Sequence, residues 1–396
     1  MRRSRSRWLA TGQHGQRRSA ALAVVAVAVA GCEAATAGAA ARHTTASPAA
    51  HPAPSRSVAS RSVPGRLSGG FPRIMIVGDS ITKGSSGDYT WQYRLYEHLR
   101  ADGVRPRMVG PYHWLFNNVT KVGGDQTYAD PRFEHANDAS WGMALLREKN
   151  VIGAKVATYR PDYLLVLLGL DDLFWYGVSQ PDMAANLAGF IAAARAARPQ
   201  IRIVLGLIPP DIHEQTNPAF AASVARYNHT IFATASQLST ARSPIAVARD
   251  GAGISVAADL WDGTHPNANG EIKIAAAFAD VLASRFHLGS AYPRPFPVLP
   301  TGPLTHPRLT VTPSRTAGQA KLSWTLVPGA DGYRVYLKDL TLRELRFRPL
   351  PWPLSPAHNP WTVSLLTSGH SYAFELRACK GADCGAYSNV TRITAP

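Results

Sequence analysis

The sequence predicts an α/β protein, a three-layer α/β/α arrangement around a parallel sheet, followed by a smaller all-β segment. Three observations predict it. Residues 73–77, 163–168, 201–208 and 245–248 are nearly continuous apolar runs, as expected of parallel strands buried on both faces. Stretches of helical period lie between them. Beyond about residue 290 that period gives way to short alternating segments separated by turn residues.

Each helix carries its own signal. Trp91, Leu95 and Leu99 recur every four residues, and residues 183–197 are alanine-rich and closed by Pro199. A further helix is expected over 218–237, and a last one runs to about Phe286 with Asn267 or Asn269 as its cap. Strands alternating with helices imply a parallel sheet wrapped on both sides, here over residues 71–290. Residues 291–306 are proline-rich and predict a semi-rigid spacer. Over 307–396, the segments 320–326, 333–337 and 371–378, with a turn at Pro328-Gly329-Ala330-Asp331-Gly332, predict a small β-sandwich.

The chemistry is concentrated in two short blocks. Gly78-Asp79-Ser80 ends the first apolar run, and Asp262-Gly263-Thr264-His265 follows the last. A serine hydroxyl is a weak nucleophile, so a neutral imidazole must take its proton and a carboxylate must hold that imidazole in the right tautomer. Asp-x-x-His lets one turn carry both. Leaving a parallel strand at its carboxyl end puts Ser80 at the start of the next helix, where backbone amides face a developing oxyanion. No histidine or cysteine spacing matches a metal site, and Gly78-Asp79-Ser80 lacks the phosphate-loop pattern, so neither a metal nor an organic cofactor is expected.

Over about residues 71–288 these blocks resemble the SGNH or GDSL-type esterases and lipases. The resemblance implies a flavodoxin-like parallel sheet, Ser80 as nucleophile, His265 as general base and Asp262 as its orienting acid. It also implies a glycine amide in the oxyanion hole beside that of Ser80. Gly142, in Ala139-Ser140-Trp141-Gly142, is the best match, with Gly123 and Gly124 as competitors. Asp79, Trp141 and Asp172 border these positions and are expected to touch substrate.

The third block departs from the family's Gly-x-Asn-Asp, reading Gly169-Leu170-Asp171-Asp172. Asp171 stands where an asparagine amide would donate to the oxyanion, and an ionised carboxylate only accepts. Three readings compete: Asp171 stays protonated through burial and the neighbouring Asp172, or the Ser80 and Gly142 amides act alone in a slow enzyme, or the site binds without turnover. Reduced or pH-shifted activity is favoured. The irregular segment between Tyr112 and Ala139 has two readings, a lining of the cleft or a surface loop. Trp141, Phe174, Trp175 and Tyr176 likewise read either as sugar-stacking faces or as packing.

The C-terminal segment resembles a fibronectin type III domain, with Trp324 as its early core tryptophan and Tyr372, six residues after Leu366, as its tyrosine corner. Cys379 and Cys384 are expected to close a small loop by a disulfide, two free thiols being the alternative.

Arginines at 2, 3, 5, 7, 17 and 18 precede an apolar stretch over 20–30, the pattern of a signal peptide. Val29-Ala30-Gly31-Cys32 looks like a bacterial lipobox that would place a lipid on Cys32, ending a leader over 1–32; cleavage after Ala37 is the alternative. Residues 33–70 read as a disordered tether. The net charge of +16 points toward nucleic acid at first sight, but residues 1–70 hold ten arginines and one glutamate, leaving a mild remainder suited to an acidic cell surface. The expectation is a secreted or membrane-tethered monomer, with no nucleic-acid partner and membrane contact only through the lipid. Its substrate would be a small-molecule or polysaccharide ester, cleaved through an acyl-enzyme. The alternative is a non-catalytic glycan-binding surface protein on a degenerate hydrolase fold.

Overall fold

The computed structural model describes residues 71–396. The leader, Cys32 and the tether over 33–70 lie outside the described residues. In chain order the first strands are β1 (Arg73–Gly78), β2 (Arg107–Met108), β3 (Leu115–Asn117), β4 (Val122–Asp125), β5 (Asp138–Ala139), β6 (Tyr163–Leu167), β7 (Arg202–Gly206) and β8 (Ile245–Ala248). Five of them form a parallel sheet in the order β2-β1-β6-β7-β8, and β5 pairs with the end of β1. Ile74, Met75, Ile76 and Val77 are all fully buried, as a strand covered on both faces requires.

The helices are α1 (Ser80–Lys83), α2 (Thr90–Ala101), α3 (Leu145–Glu148), α4 (Ile152–Tyr159), α5 (Leu170–Phe174), α6 (Gln180–Ala197), α7 (Pro218–Leu238), α8 (Val256–Asp259) and α9 (Ala268–Phe286). Their starts are written in side chains. Ser179 caps α6, Asn217 caps α7, and Asn267 rather than Asn269 caps α9 by accepting from the Asn269 and Gly270 amides. Trp91 of α2 stacks on Phe278 of α9 at 4.7 Å in the core. The sheet is joined to β2 on one side of β1 and to β6 on the other. This switch point opens a crevice at the carboxyl ends of β1 and β6, where such sheets bind ligands.

The segment between Tyr112 and Ala139 is ordered. Its β3–β4 hairpin is held by Asp125, which accepts from Ser86, Asn117 and Thr127. Buried Phe133 and Tyr128 anchor the remainder.

A second hydrophobic core gathers Leu309 through Ala395. Its strands are β9 (Leu309–Pro313), β10 (Ala320–Trp324), β11 (Gly332–Asp339), β12 (Arg348–Pro349), β13 (Trp361–Val363), β14 (Ser371–Lys380), β15 (Asp383–Tyr387) and β16 (Thr391–Thr394). They make two antiparallel sheets, β13-β10-β9 and β12-β11-β14-β15 with β16 also on β14. Alternate residues of β11 face inward, Tyr333, Val335 and Leu337 among them. The Thr367 amide donates to the Tyr372 hydroxyl at 2.9 Å, and a disulfide joins Cys379 to Cys384.

The spacer expected over 291–306 is instead fastened along its length. Tyr292 donates to Asp280, Leu299 to Asn269 and Thr301 to Asp383. Prolines stiffen the segment, but these side-chain acceptors decide that it lies against the protein.

Candidate active site

The turn after β1 is sterically defined. A Cβ on Gly78 would meet Thr82 Oγ1 at 2.1 Å and the Leu167 carbonyl at 2.7 Å, so only glycine lets α1 fold back across the sheet. Asp79 then caps α1, its carboxylate accepting from the Ile81 amide at 3.0 Å. Ser80 is the first residue of the helix. Its own amide has no protein acceptor, as is usual in a first turn.

His265 and Asp262 share the turn that precedes α9. His265 Nδ1 lies 2.7 Å from Asp262 Oδ2, and Asp262 Oδ1 accepts the Thr264 and His265 amides at 3.1 and 2.8 Å. Burial pushes the Asp262 carboxyl up, but the hydrogen bonds from His265 and from these amides outweigh it and hold the group below its usual range. The imidazole is stacked on Trp141 at 4.4 Å and on Trp261 at 5.5 Å. Trp141 is itself fixed by Phe116 at 4.0 Å and by its indole N–H on the Gly84 carbonyl. Ser80, Trp141, Trp261 and His265 line one small cavity of about 10 Å³.

No residue of the 112–139 segment lines that cavity. The segment supports it from behind through Phe116. Gly123 and Gly124 sit on the β3–β4 hairpin, whereas Gly142 lies next to Trp141 and its amide has no protein acceptor.

The acidic residues divide. Asp172 is fully buried and accepts the Leu145 and Leu146 amides at 2.7 and 2.8 Å, which fixes the chain just beyond Gly142. Asp79 is 1 % exposed and occupied with α1. Both were expected at the substrate; Asp172 has both carboxylate oxygens on these amides, and Asp79 has one on the first turn of α1. Asp171 is different: its Oδ2 is buried without a partner. Burial, with Asp172 adding to it and His265 opposing, pushes Asp171 up to about 6. Burial and then Asp171 push Asp79 well above the carboxylate range. Phe174 packs on His213 and Phe220, while Trp175 is 70 % exposed.

Residues 76–271 match the model of the GDSL-like Lipase/Acylhydrolase family. The chain carries a GDSL-like hydrolase domain. Three solved structures similar to it are an acetyl esterase mutant with acetate ion (23 % identity over 53 % of this chain and 96 % of that one, TM-score 0.46), a carbohydrate esterase family 3 protein from Talaromyces cellulolyticus (24 %, 53 % and 96 %, TM-score 0.46), and a family 3 carbohydrate esterase of Clostridium thermocellum (21 %, 55 % and 99 %, TM-score 0.44). No curated protein matches the chain.

Three groups at the GDSL-like site were not singled out from sequence. Trp261 stacks on His265 and touches the second core, its carbonyl accepting the Ala382 amide at 3.1 Å. Its place next to Asp262 was the available signal. Glu271 of α9 holds the Thr90 amide at 3.0 Å and Arg94 at 3.2 Å, and with Thr90 lines the serine cavity. Thr90 has φ 72°, a left-handed conformation costly for a β-branched residue. Lys380, 5 % exposed, pairs with Asp88 and lies 5.0 Å from the Trp261 ring. Nothing local announces a contact across 292 residues. Among the described residues no group of three or more His, Cys, Asp or Glu side chains is placed to hold a metal ion.

Proposed function

We propose that the protein is an exported serine esterase that removes short acyl groups, acetyl above all, from carbohydrate. The observation that carries the reading is His265, bound to Asp262 at 2.7 Å and sharing one cavity with Ser80. In this reading His265 takes the Ser80 proton as Oγ attacks the ester carbonyl, and Asp262 stabilises the imidazolium. The tetrahedral oxyanion is met by the Ser80 and Gly142 amides and by Asp171 as the neutral acid. His265 then protonates the leaving alcohol, and water releases the acid from the acyl-enzyme by the reverse path.

The cavity at Ser80 has about the volume that one water needs, which supports a methyl-sized acyl chain. The tryptophans around His265 support a sugar on the alcohol side. The signal pattern and Cys32 support export and a lipid anchor, and Trp324 with the Tyr372 hydroxyl bond supports a fibronectin type III-like second domain. The second reading is a glycan-binding protein without turnover, in which Asp171 as a carboxylate would repel the oxyanion instead of donating to it.

A fluorophosphonate probe separates the two. Labelling that disappears in Ser80→Ala is expected somewhere between about pH 4 and 9, and its absence throughout that range would overturn the enzyme. Acetate release from acetylated xylan and peptidoglycan, compared with longer-chain p-nitrophenyl esters, then ranks the substrates.

A further inference from the structure

Beside the serine cavity lies a second one of about 340 Å³, within the roughly 300–1,000 Å³ usual for small-molecule sites. The two share Asp88, Trp261 and Glu271, so a molecule seated in the larger cavity extends toward Ser80. Its wall comes from four distant parts of the chain: the 86–94 segment, the 261–271 stretch entering α9, the connector at 299–304, and Pro328 and Lys380 of the second core. Lys380 is delivered by the β14–β15 hairpin, closed by the Cys379–Cys384 disulfide. The hairpin tip is seated on the hydrolase domain: Ala382 donates to the Trp261 carbonyl, and Asp383 accepts from Asn267 at 3.0 Å and Thr301 at 2.8 Å.

The lining indicates the chemistry of an occupant. Tyr89, Tyr93 and Trp261 offer aromatic surface. The charged side chains form two closed pairs, Lys380 with Asp88 and Arg94 with Glu271. An ionic ligand finds no unmatched charge among these residues, and a wholly apolar one would desolvate four charged groups without compensation. A neutral ring carrying hydroxyls meets both conditions, lying on aromatic faces while its hydroxyls reach carboxylate oxygens and the remaining ammonium donors of Lys380.

We infer that this cavity is the leaving-group subsite of the esterase, that its occupant is the neutral pyranose bearing the esterified hydroxyl, and that Lys380 determines specificity there. The inference rests on the serine-esterase reading. The acyl C–O bond breaks, the acyl group passes to Ser80 Oγ, and the sugar keeps its oxygen and takes the proton from His265. Water then cleaves the acyl-enzyme, giving the free acid and restoring Ser80.

The test compares acetylated xylotriose with ethyl acetate, whose leaving group is too short to fill the cavity, using the full chain and two variants. Lys380→Met removes the donors and Leu304→Trp fills the cavity edge. In each folded variant the ratio of kcat/KM for the xylotriose ester over ethyl acetate should fall roughly tenfold, mainly through KM, the worth of one hydrogen bond or stacking contact. A ratio unchanged in the folded Leu304→Trp variant overturns the subsite. Calorimetric titration of Ser80→Ala with acetylated xylotriose gives an independent arm, in which Leu304→Trp should weaken binding by a similar factor and equal binding overturns the inference. Fluorophosphonate labelling tells the two failures apart. A labelled Ser80 with an unchanged ratio defeats the subsite and leaves the esterase reading standing, whereas an unlabelled Ser80 defeats the esterase reading and the leaving-group role with it, even where sugar binding depends on Leu304.

Discussion

In the proposed mechanism, Asp171 is the residue on which the chemistry turns. Its carboxyl, pushed up to about 6 by burial, is neutral below that pH and a carboxylate above it. The neutral acid donates to an oxyanion, and the carboxylate repels one. Activity should therefore fall as pH rises through 6. Asp171→Asn keeps a donor at every pH. In kcat/KM profiles it should exceed the parent by about ten- to a hundredfold above pH 7 and by much less below pH 6. A pH-independent ratio would count against Asp171 as the switch. Lys83 presents the opposite sign. It is fully buried, its ammonium 3.9 Å from the Trp114 ring and bonded to Asn137, and burial lowers it to about 7 against the pull of Asp138. Between 7 and 10.5 the unfolded chain holds a proton that the folded chain has released. Stability from this group therefore rises with pH across that window, by up to about 1.4 kcal/mol per unit. Lys83→Met should remove that slope in urea denaturation series at pH 7, 8 and 9, and a parallel slope in the variant would refute the assignment.

Among elements, the most consequential is the β14–β15 hairpin. Gly381 at its tip has φ 54°, and a Cβ there would lie 2.0 Å from the Trp261 carbonyl. Gly381→Ala should push the tip off the loop that carries Asp262 and His265, lowering kcat by about ten- to a hundredfold on every ester. Ethyl acetate turnover would read this directly, and an unchanged kcat would show that the loop does not need the hairpin. The same element shows where sequence reasoning ends. Its long strand was legible in the alternation of residues 371–378, because a half-buried strand imprints a period of two. So were β1, β6 and β8, which imprint continuous apolar runs. The two-residue strands β2 and β5 are too short to carry any period. The turn blocks of Ser80 and of Asp262 with His265 were readable because each is local. That Asp172 would be taken up by the Leu145 and Leu146 amides, and that Lys380 would reach Asp88, depends on contacts made only after the chain has closed on itself.

At the scale of the whole molecule, the question is whether the two hydrophobic cores behave as one body. Modules on a flexible spacer would melt separately. Here the connector is bonded to both cores, Lys380 is buried against Asp88, and Asn118 donates to the Gly329 carbonyl at 2.9 Å. Separating the cores would expose a lysine and a carboxylate that are now matched, along with the edge of Trp261. Returning both charges to water offsets part of their lost attraction, so the coupling rests on the hydrogen bonds and apolar surface lost along with the pair. Loss of the second core should therefore destabilise the first directly. Calorimetry of the intact chain should give one transition, and Lys380→Ala with Asp383→Ala should split it in two, with the lower-melting phase tracking loss of esterase activity. Two transitions in the unaltered chain would refute the coupling and would leave the hairpin as a contact without mechanical consequence for the site.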